Sequence, residues 1–301
     1  NMIAVTAFLR QAVIAEGGNP DRECLTLIDT RDGEKYYHDP DGNYWRAFIF
    51  IENAITYQTV EKPEHFYYSG CAFGKFQRLL ADYPSATLGE TIPNFHNTAS
   101  RYRDFEQAVK ENASGRADEV REEIAFIRAR AADCSILTDL LAKGELPLRV
   151  THNDTKLNNV MLDDVTGRPV CVIDLDTVMP GLSLYDYGDS MRFGTNPAAE
   201  DETDLSKVTC DLNLFEQYTK GFLEECGSML TPQEIENLPL SAKLMTLECG
   251  MRFLSDYLEG DHYFHINYEQ QNLNRARTQF KLTSGMEENW DAMQKVIEKY
   301  C

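Results

Sequence analysis

No stretch of the 301-residue chain comes near the ~18 consecutive apolar residues that a helix needs to cross a bilayer, and the run at 47–51 is far too short. The chain is also poor in positive charge: 29 Lys and Arg face 49 Asp and Glu, a net charge of −20. Such a surface repels duplex phosphate and anionic lipid, which argues against nucleic-acid and membrane partners. A phosphate-bearing ligand would need local cations or a metal to offset that field. The eight cysteines contain no C-x-x-C pair and are widely spaced, so neither a zinc site nor a dense disulfide framework is expected. They read as reduced thiols. The opening Asn1-Met2-Ile3-Ala4-Val5 lacks the basic region of a secretory leader. There is no internal repeat and no low-complexity linker. What remains is ordinary globular composition, 43% hydrophobic and 26% charged, at a length that suggests about two domains.

Ile3, Ala7, Phe8, Val13 and Ile14 fall near helical spacing, and Gly17-Gly18-Asn19-Pro20 supplies a stop. Short β-like runs follow at 23–29, 35–38 and 44–51, with Asp32-Gly33 and Asp41-Gly42 as hairpin turns. Beyond about 51–59 the character changes. Residues 63–83 read as a helix, followed by helices near 102–111 and 119–141. A short strand at 148–150 precedes a hairpin of 160–162 and 170–173. The rest is mainly helical, near 185–193, 212–226, 232–258 and 273–299, with Gly260-Asp261 as a break. This gives an α+β chain: a small strand-rich part, 1–51, and a large helical part, 52–301.

The most informative stretch is the loop Thr151-His152-Asn153-Asp154-Thr155-Lys156-Leu157-Asn158-Asn159, held between two strands. An Asp in such a loop can orient a hydroxyl and accept its proton. The Asn five residues later can offer a carbonyl oxygen to Mg²⁺. The Lys two residues after the Asp can place positive charge on a transferring phosphoryl group. Downstream, Val172-Ile173-Asp174-Leu175-Asp176 ends an apolar strand in two carboxylates, which share one face if the strand continues. Asp174 beside Asn159 makes a second Mg²⁺ ligand. Taken singly, an Asp in a turn is usually a turn residue and two acids at a strand end are usually a solvated edge. The ordered set, strand, H-x-D-x-K-x-x-N, strand, turn, strand, I-D-x-D, is rare by chance.

That set resembles the catalytic loop and metal-binding segment of the aminoglycoside phosphotransferase and choline kinase superfamily of protein-kinase-like small-molecule kinases. His152, Asp154 and Asn159 match H-x-D-x-x-x-x-N. Ile173-Asp174 stands where D-F-G stands in protein kinases. Tyr185-Asp186-Tyr187-Gly188-Asp189 is similar to the segment that buttresses the loop. Residues 148–159, 173–181 and 248–264 more narrowly resemble bacterial N-acetylhexosamine 1-kinases, and the resemblance covers essentially the whole chain.

The resemblance implies a protein-kinase-like two-lobed fold, with a small antiparallel-sheet N-lobe and a large helical C-lobe. It implies ATP and Mg²⁺ as cofactors and a small sugar as substrate, phosphorylated at its anomeric hydroxyl to the 1-phosphate. An ATP requirement without a leader places such an enzyme in the cytoplasm. Asp154 would orient and deprotonate the acceptor, and Asn159 and Asp174 would hold Mg²⁺. Lys156 would steady the γ-phosphoryl group or be a surface residue. His152, Asp176 and Asp186 would support the loop. Arg252, Tyr263 and Phe193 would line the sugar pocket, although Arg252 could instead pair with Glu248 or Asp256 on its own helix and Phe193 could be core. The backbone of Phe50, Ile51 and Glu52 would form the nucleotide hinge. The family opens with a hairpin over the phosphates and a strand Lys. This chain starts inside the helix that follows them, so several dozen residues are expected ahead of Asn1. Rival acceptors are another sugar, an amino alcohol or an aminoglycoside, and a non-catalytic binding module is a further reading.

Overall fold

Helix α1 (Met2–Ala15) buries Val5, Leu9 and Val13, which recur every fourth residue along one stripe. Gly17, at φ +76°, takes the chain out of it. Pro20 then opens α2 (Pro20–Glu23), capped by the Asn19 side chain. This is a computed structural model, and it describes residues 1–301.

The strand predicted at 23–29 is absent. The tail of α2 occupies its start, and only a Leu27–Phe48 bridge with two flanking hydrogen bonds remains. The run predicted at 44–51 shrinks to a two-residue strand. β1 (Tyr37–His38) pairs with β2 (Tyr44–Trp45) across a turn in which the Asp39 carboxylate accepts from the Asp41 and Asn43 amides and the Trp45 indole. All four strand residues are exposed, so no core face extends the ladder.

β3 (Ala54–Ile55) leads into α3 (Pro63–Leu79). α4 (Thr98–Glu111) starts four residues before its predicted position because the Asn97 side chain caps it, accepting from the Ser100 amide at 3.0 Å. The helix predicted at 119–141 is two, α5 (Arg121–Arg128) and α6 (Ile136–Ala142). The two halves pack apart: Ile124 and Ile127 enter one core cluster and Leu137 another. Next come β4 (Arg149–Thr151), β5 (Val160–Asp163), β6 (Pro169–Val172), β7 (Met179–Gly181), α7 (Ser183–Gly194) and α8 (Leu212–Cys226). The stretch predicted as one helix at 232–258 divides at Asn237 into α9 (Pro232–Glu236) and α10 (Leu238–Glu259), where Pro239 has no N–H to continue the ladder. α11 (Gln271–Glu288) and α12 (Trp290–Tyr300) likewise replace a single predicted helix.

Two antiparallel sheets frame the loop at 152–159. β4 pairs with β7, Thr151 opposite Met179, and β5 lies between β3 and β6, Val160 opposite Val172. The main core gathers α3, α7, α8, α10 and α12, and a second joins α4, α5, α10 and α11. A third packs Val5 and Leu9 of α1 on Phe76, Val150 and Leu175. α3 and α8 touch backbone to backbone: a Cβ on Gly70 would stand 2.4 Å from the Tyr218 carbonyl, and one on Gly221 2.2 Å from that of Tyr67. None of the eight cysteines is paired, and six are buried. No helix is long and apolar enough to cross a membrane.

Candidate active site

The loop from His152 to Asn159 is fixed by buried polar groups rather than by its own ladder. Asp186 of α7, fully buried, accepts the His152 and Asn153 amides at 2.9 and 2.8 Å and the Gln77 amide at 2.5 Å. Burial pushes its carboxyl up, against the pull of His152 and these donors. One turn on, Asp189 accepts the Thr155 amide at 2.9 Å and pairs with Arg192 at 2.8 Å. Burial opposes its ionisation, but the charges of Arg192, His96 and Lys156 outweigh burial and hold the carboxyl below its ordinary value. His152 is a brace at both ends. Its Nε2 donates to the Ile173 carbonyl at 2.8 Å, its Nδ1 accepts the Asp154 amide at 3.3 Å, and Phe73 and Phe76 meet its ring edge-on.

Asp154 stands half-buried at the loop's crest, 2.8 Å from Lys156 Nζ. Burial disfavours the lysine charge, yet Asp154 more than offsets this and raises its pKa. Asn159 Nδ2 donates to the Asp154 carbonyl at 2.8 Å and to Asp154 Oδ2 at 3.1 Å, which leaves the Asn159 side-chain oxygen uncommitted. The β5–β6 hairpin brings Asp174 alongside, since the Ile173 amide donates to the Asn159 carbonyl at 2.9 Å. The expectation that Asp174 and Asp176 share a strand face fails. The strand ends at Val172, Asp174 takes a left-handed conformation at φ +61°, and a 3₁₀ turn at Leu175–Thr177 follows. Asp174 is exposed and makes no ion pair; Asp176 turns away and pairs with Arg46.

A cavity of about 330 Å³ opens beside Asp154 and Lys156, and Arg252 and Tyr263 line it with them. Neither predicted ion pair of Arg252 forms. Glu248 is taken by His96 and Thr98, and Asp256 accepts the amides of His262, Tyr263 and Phe264. The Arg252 guanidinium lies instead among the rings of Phe95, Phe264 and Tyr263, at 5.1, 5.4 and 5.8 Å. Phe193 is not in this cavity. It lines a neighbouring one that shares Lys156, Arg192 and Glu200. In the segment predicted as hinge, Ile51 is buried, Phe50 and Glu52 are exposed, and the Glu52 carbonyl accepts from Arg22. His96, Arg192 and Glu248 also line the cavity but were assigned no role in it from sequence. Their signal is weak, because single polar residues on helices or in loops carry no spacing that marks a site.

The chain belongs to the APH phosphotransferase enzyme family, whose model matches residues 4–208. Its fold is the predicted α+β, protein-kinase-like, two-lobed one. It is similar to a microcompartment-associated aminopropanol kinase (16% identity, 97% of this chain and 82% of that one, TM-score 0.60). It is similar also to an aminoglycoside phosphotransferase from Alicyclobacillus acidocaldarius (12% identity, 98% and 84%, TM-score 0.60). An amicoumacin kinase solved in complex with AMP-PNP, Ca²⁺ and Ami is similar as well, at 10% identity over 94% of this chain and 77% of that one, with a TM-score of 0.58.

Proposed function

We propose that the protein is an ATP-dependent kinase that phosphorylates the anomeric hydroxyl of N-acetylhexosamines. The observation that carries the choice of acceptor is a charge inventory of the cavity. Asp154 is paired with Lys156, Asp189 with Arg192, Glu248 with His96, and Glu200 with Arg192 and Arg275. Arg252 alone lacks an opposite charge. A cationic acceptor such as an amino alcohol or aminoglycoside would meet neutralised acids and one free cation. A neutral acceptor with a carbonyl oxygen, such as an acetamido sugar, would meet free forked donors beside aromatic faces.

In this reading Asp154 takes the proton of the acceptor hydroxyl as that oxygen bonds to the γ-phosphorus. The bond from that phosphorus to the β–γ bridging oxygen breaks, and ADP leaves. Lys156 exchanges its contact with Asp154 for the transferring group. The donors at the hairpin fit a divalent cation: the uncommitted Asn159 oxygen and the unpaired Asp174 carboxylate are two oxygen ligands, a number Mg²⁺ commonly takes from protein when phosphates supply others. Bound there, the ion would offset phosphate charge. Residues 1–51 would be the remainder of the nucleotide lobe, with the backbone of residues 50–52 reading the base.

The test is ADP release with Mg²⁺-ATP on N-acetylglucosamine, N-acetylgalactosamine, glucose, galactose, choline and kanamycin. Turnover confined to the N-acetylhexosamines, with ³¹P NMR showing a 1-phosphate, is the expected result. Turnover on choline or kanamycin instead would keep the chemistry and overturn the acceptor.

A further inference from the structure

His96 lines the cavity wall and is 8% exposed. Its Nδ1 lies 2.9 Å from Glu248 Oε1, and its Nε2 lies 3.2 Å from the Asn153 carbonyl oxygen. The second Glu248 oxygen accepts from Thr98 Oγ1 at 2.6 Å, so the carboxylate is held from two sides. A carboxylate and a carbonyl both only accept. Each ring nitrogen must therefore donate, and only the imidazolium donates from both. His152 makes the contrast, with one nitrogen donating and the other accepting, as the neutral ring allows. The Asn153 carbonyl belongs to the peptide that leads into Asp154.

We infer that His96 is a positioning residue acting as an imidazolium, which clamps the Asn153–Asp154 peptide to α10 and loosens it on losing its proton. Its activity arm rests on the kinase reading above. The charged groups that line the cavity with His96 are Glu248 and Arg252 of α10, Asp189 and Arg192 of α7, Asp154 and Lys156 of the loop, and Glu200. Tyr185 of α7 packs near its ring. Burial disfavours the imidazolium, but Glu248, then Asp189 and the Asn153 carbonyl, more than offset burial and hold the group above the ordinary histidine range. The clamp is therefore complete below about pH 6.5 and is lost as pH rises through the raised value in the folded protein.

Glu248→Gln separates charge from shape. The new amide can present its oxygen to Thr98 and its N–H to Nδ1 of a neutral ring, whose Nε2–H still reaches Asn153. The experiment follows kcat and KM from pH 6 to 9.5 for wild type, Glu248→Gln and His96→Gln, each normalised to its own maximum. In parallel, imidazole ¹⁵N shifts of the full-length protein are assigned among its six histidines by His96→Gln. In wild type, kcat should fall at least about threefold along a basic limb while acceptor KM changes less, since a general acid–base position is being disturbed. Both His96 nitrogens should carry protons at pH 7, and the limb should share the ring's midpoint. In Glu248→Gln the limb should vanish and the ring should be neutral. A wild-type ring that is neutral at pH 7, or a limb unchanged in Glu248→Gln, overturns the inference. If no acceptor turns over, the kinase reading fails by itself. The ¹⁵N data then still decide the charge of His96, and the Asp154 amide resonance decides the clamp: it must shift as His96 titrates, and a still resonance overturns it.

Discussion

Asp154 is held by three contacts. Lys156 neutralises it, Asn159 orients it, and its own amide is anchored on His152. Replacing it with Asn keeps the shape and the contact from the Asn159 amide but removes the proton acceptor. Asp154→Asn should therefore lose on the order of 10²-fold or more in kcat at nearly constant acceptor KM. Steady-state kinetics on the best acceptor checks this, and wild-type turnover would remove Asp154 from the chemistry. Arg252 should behave in the opposite way. Its guanidinium touches no carboxylate, so Arg252→Met leaves no buried acid stranded; it removes the ligand donors and the cation's contacts with Phe95, Phe264 and Tyr263, while the Met side chain still fills the space between the rings. One lost hydrogen bond to a charged group is worth about 1.5 kcal/mol or more, roughly tenfold in KM for an N-acetylhexosamine. The same change should improve, or leave unaltered, the weak KM of a cationic acceptor. An N-acetylhexosamine KM that does not move would place the sugar elsewhere.

At the scale of elements, the contact of α3 with α8 sets how closely the loop's supports can approach, because Gln77 on α3 reaches Asp186 from there. Gly70→Ala would drive a methyl against the Tyr218 carbonyl, and backbone cannot step aside. A loss of about 1–3 kcal/mol is expected, seen as a lower midpoint in urea at unchanged slope. Gly227→Ala is the control, since its Cβ would meet nothing nearer than Leu223 Cβ at 3.6 Å; equal midpoints for both variants would refute the packing argument. Elements of this kind were legible in sequence where one stripe faces one core, as in α1 and α8. They were misread where the partner is remote. The sequence around 119–141 reads as helical throughout, but in the fold its halves are two helices that enter different cores. The loop at 152–159 was legible because its groups are contiguous. His96 was not, for its meaning depends on Glu248, 152 residues away. Asp176 was misplaced by a period-two argument that needs a continuing strand, and the left-handed turn at Asp174 ends that strand.

Across the whole molecule, two sets of buried charge bound the pH range of stability. Asp189 and Glu234 have carboxyls held below their ordinary values: burial opposes this, but Arg192, His96 and Lys156 at the first and Arg149 and Ser183 at the second prevail. Their contribution is complete above about pH 4.5 and is lost as pH falls through the lowered folded values. Asp186, raised by burial, works against that limb. His96 contributes in the other direction: fully below about pH 6.5, and progressively less as pH rises through its raised value. The melting temperature should therefore be highest between about pH 4.5 and 6.5 and decline on both sides. The net charge of −20 also makes the folded state repel itself as pH rises, and the two causes of an alkaline decline separate with salt. Repulsion among surface charges is screened within about 4–5 Å at 0.5 M ionic strength, whereas the buried His96–Glu248 pair is screened much less. Calorimetry at 0.05 and 0.5 M NaCl should show part of the alkaline decline removed by salt in wild type and a remainder that persists. In Glu248→Gln only the salt-sensitive part should survive, because the neutral ring has no proton to lose. A decline abolished by salt in wild type would assign all of it to the surface and leave the buried pair without weight in the stability of the fold.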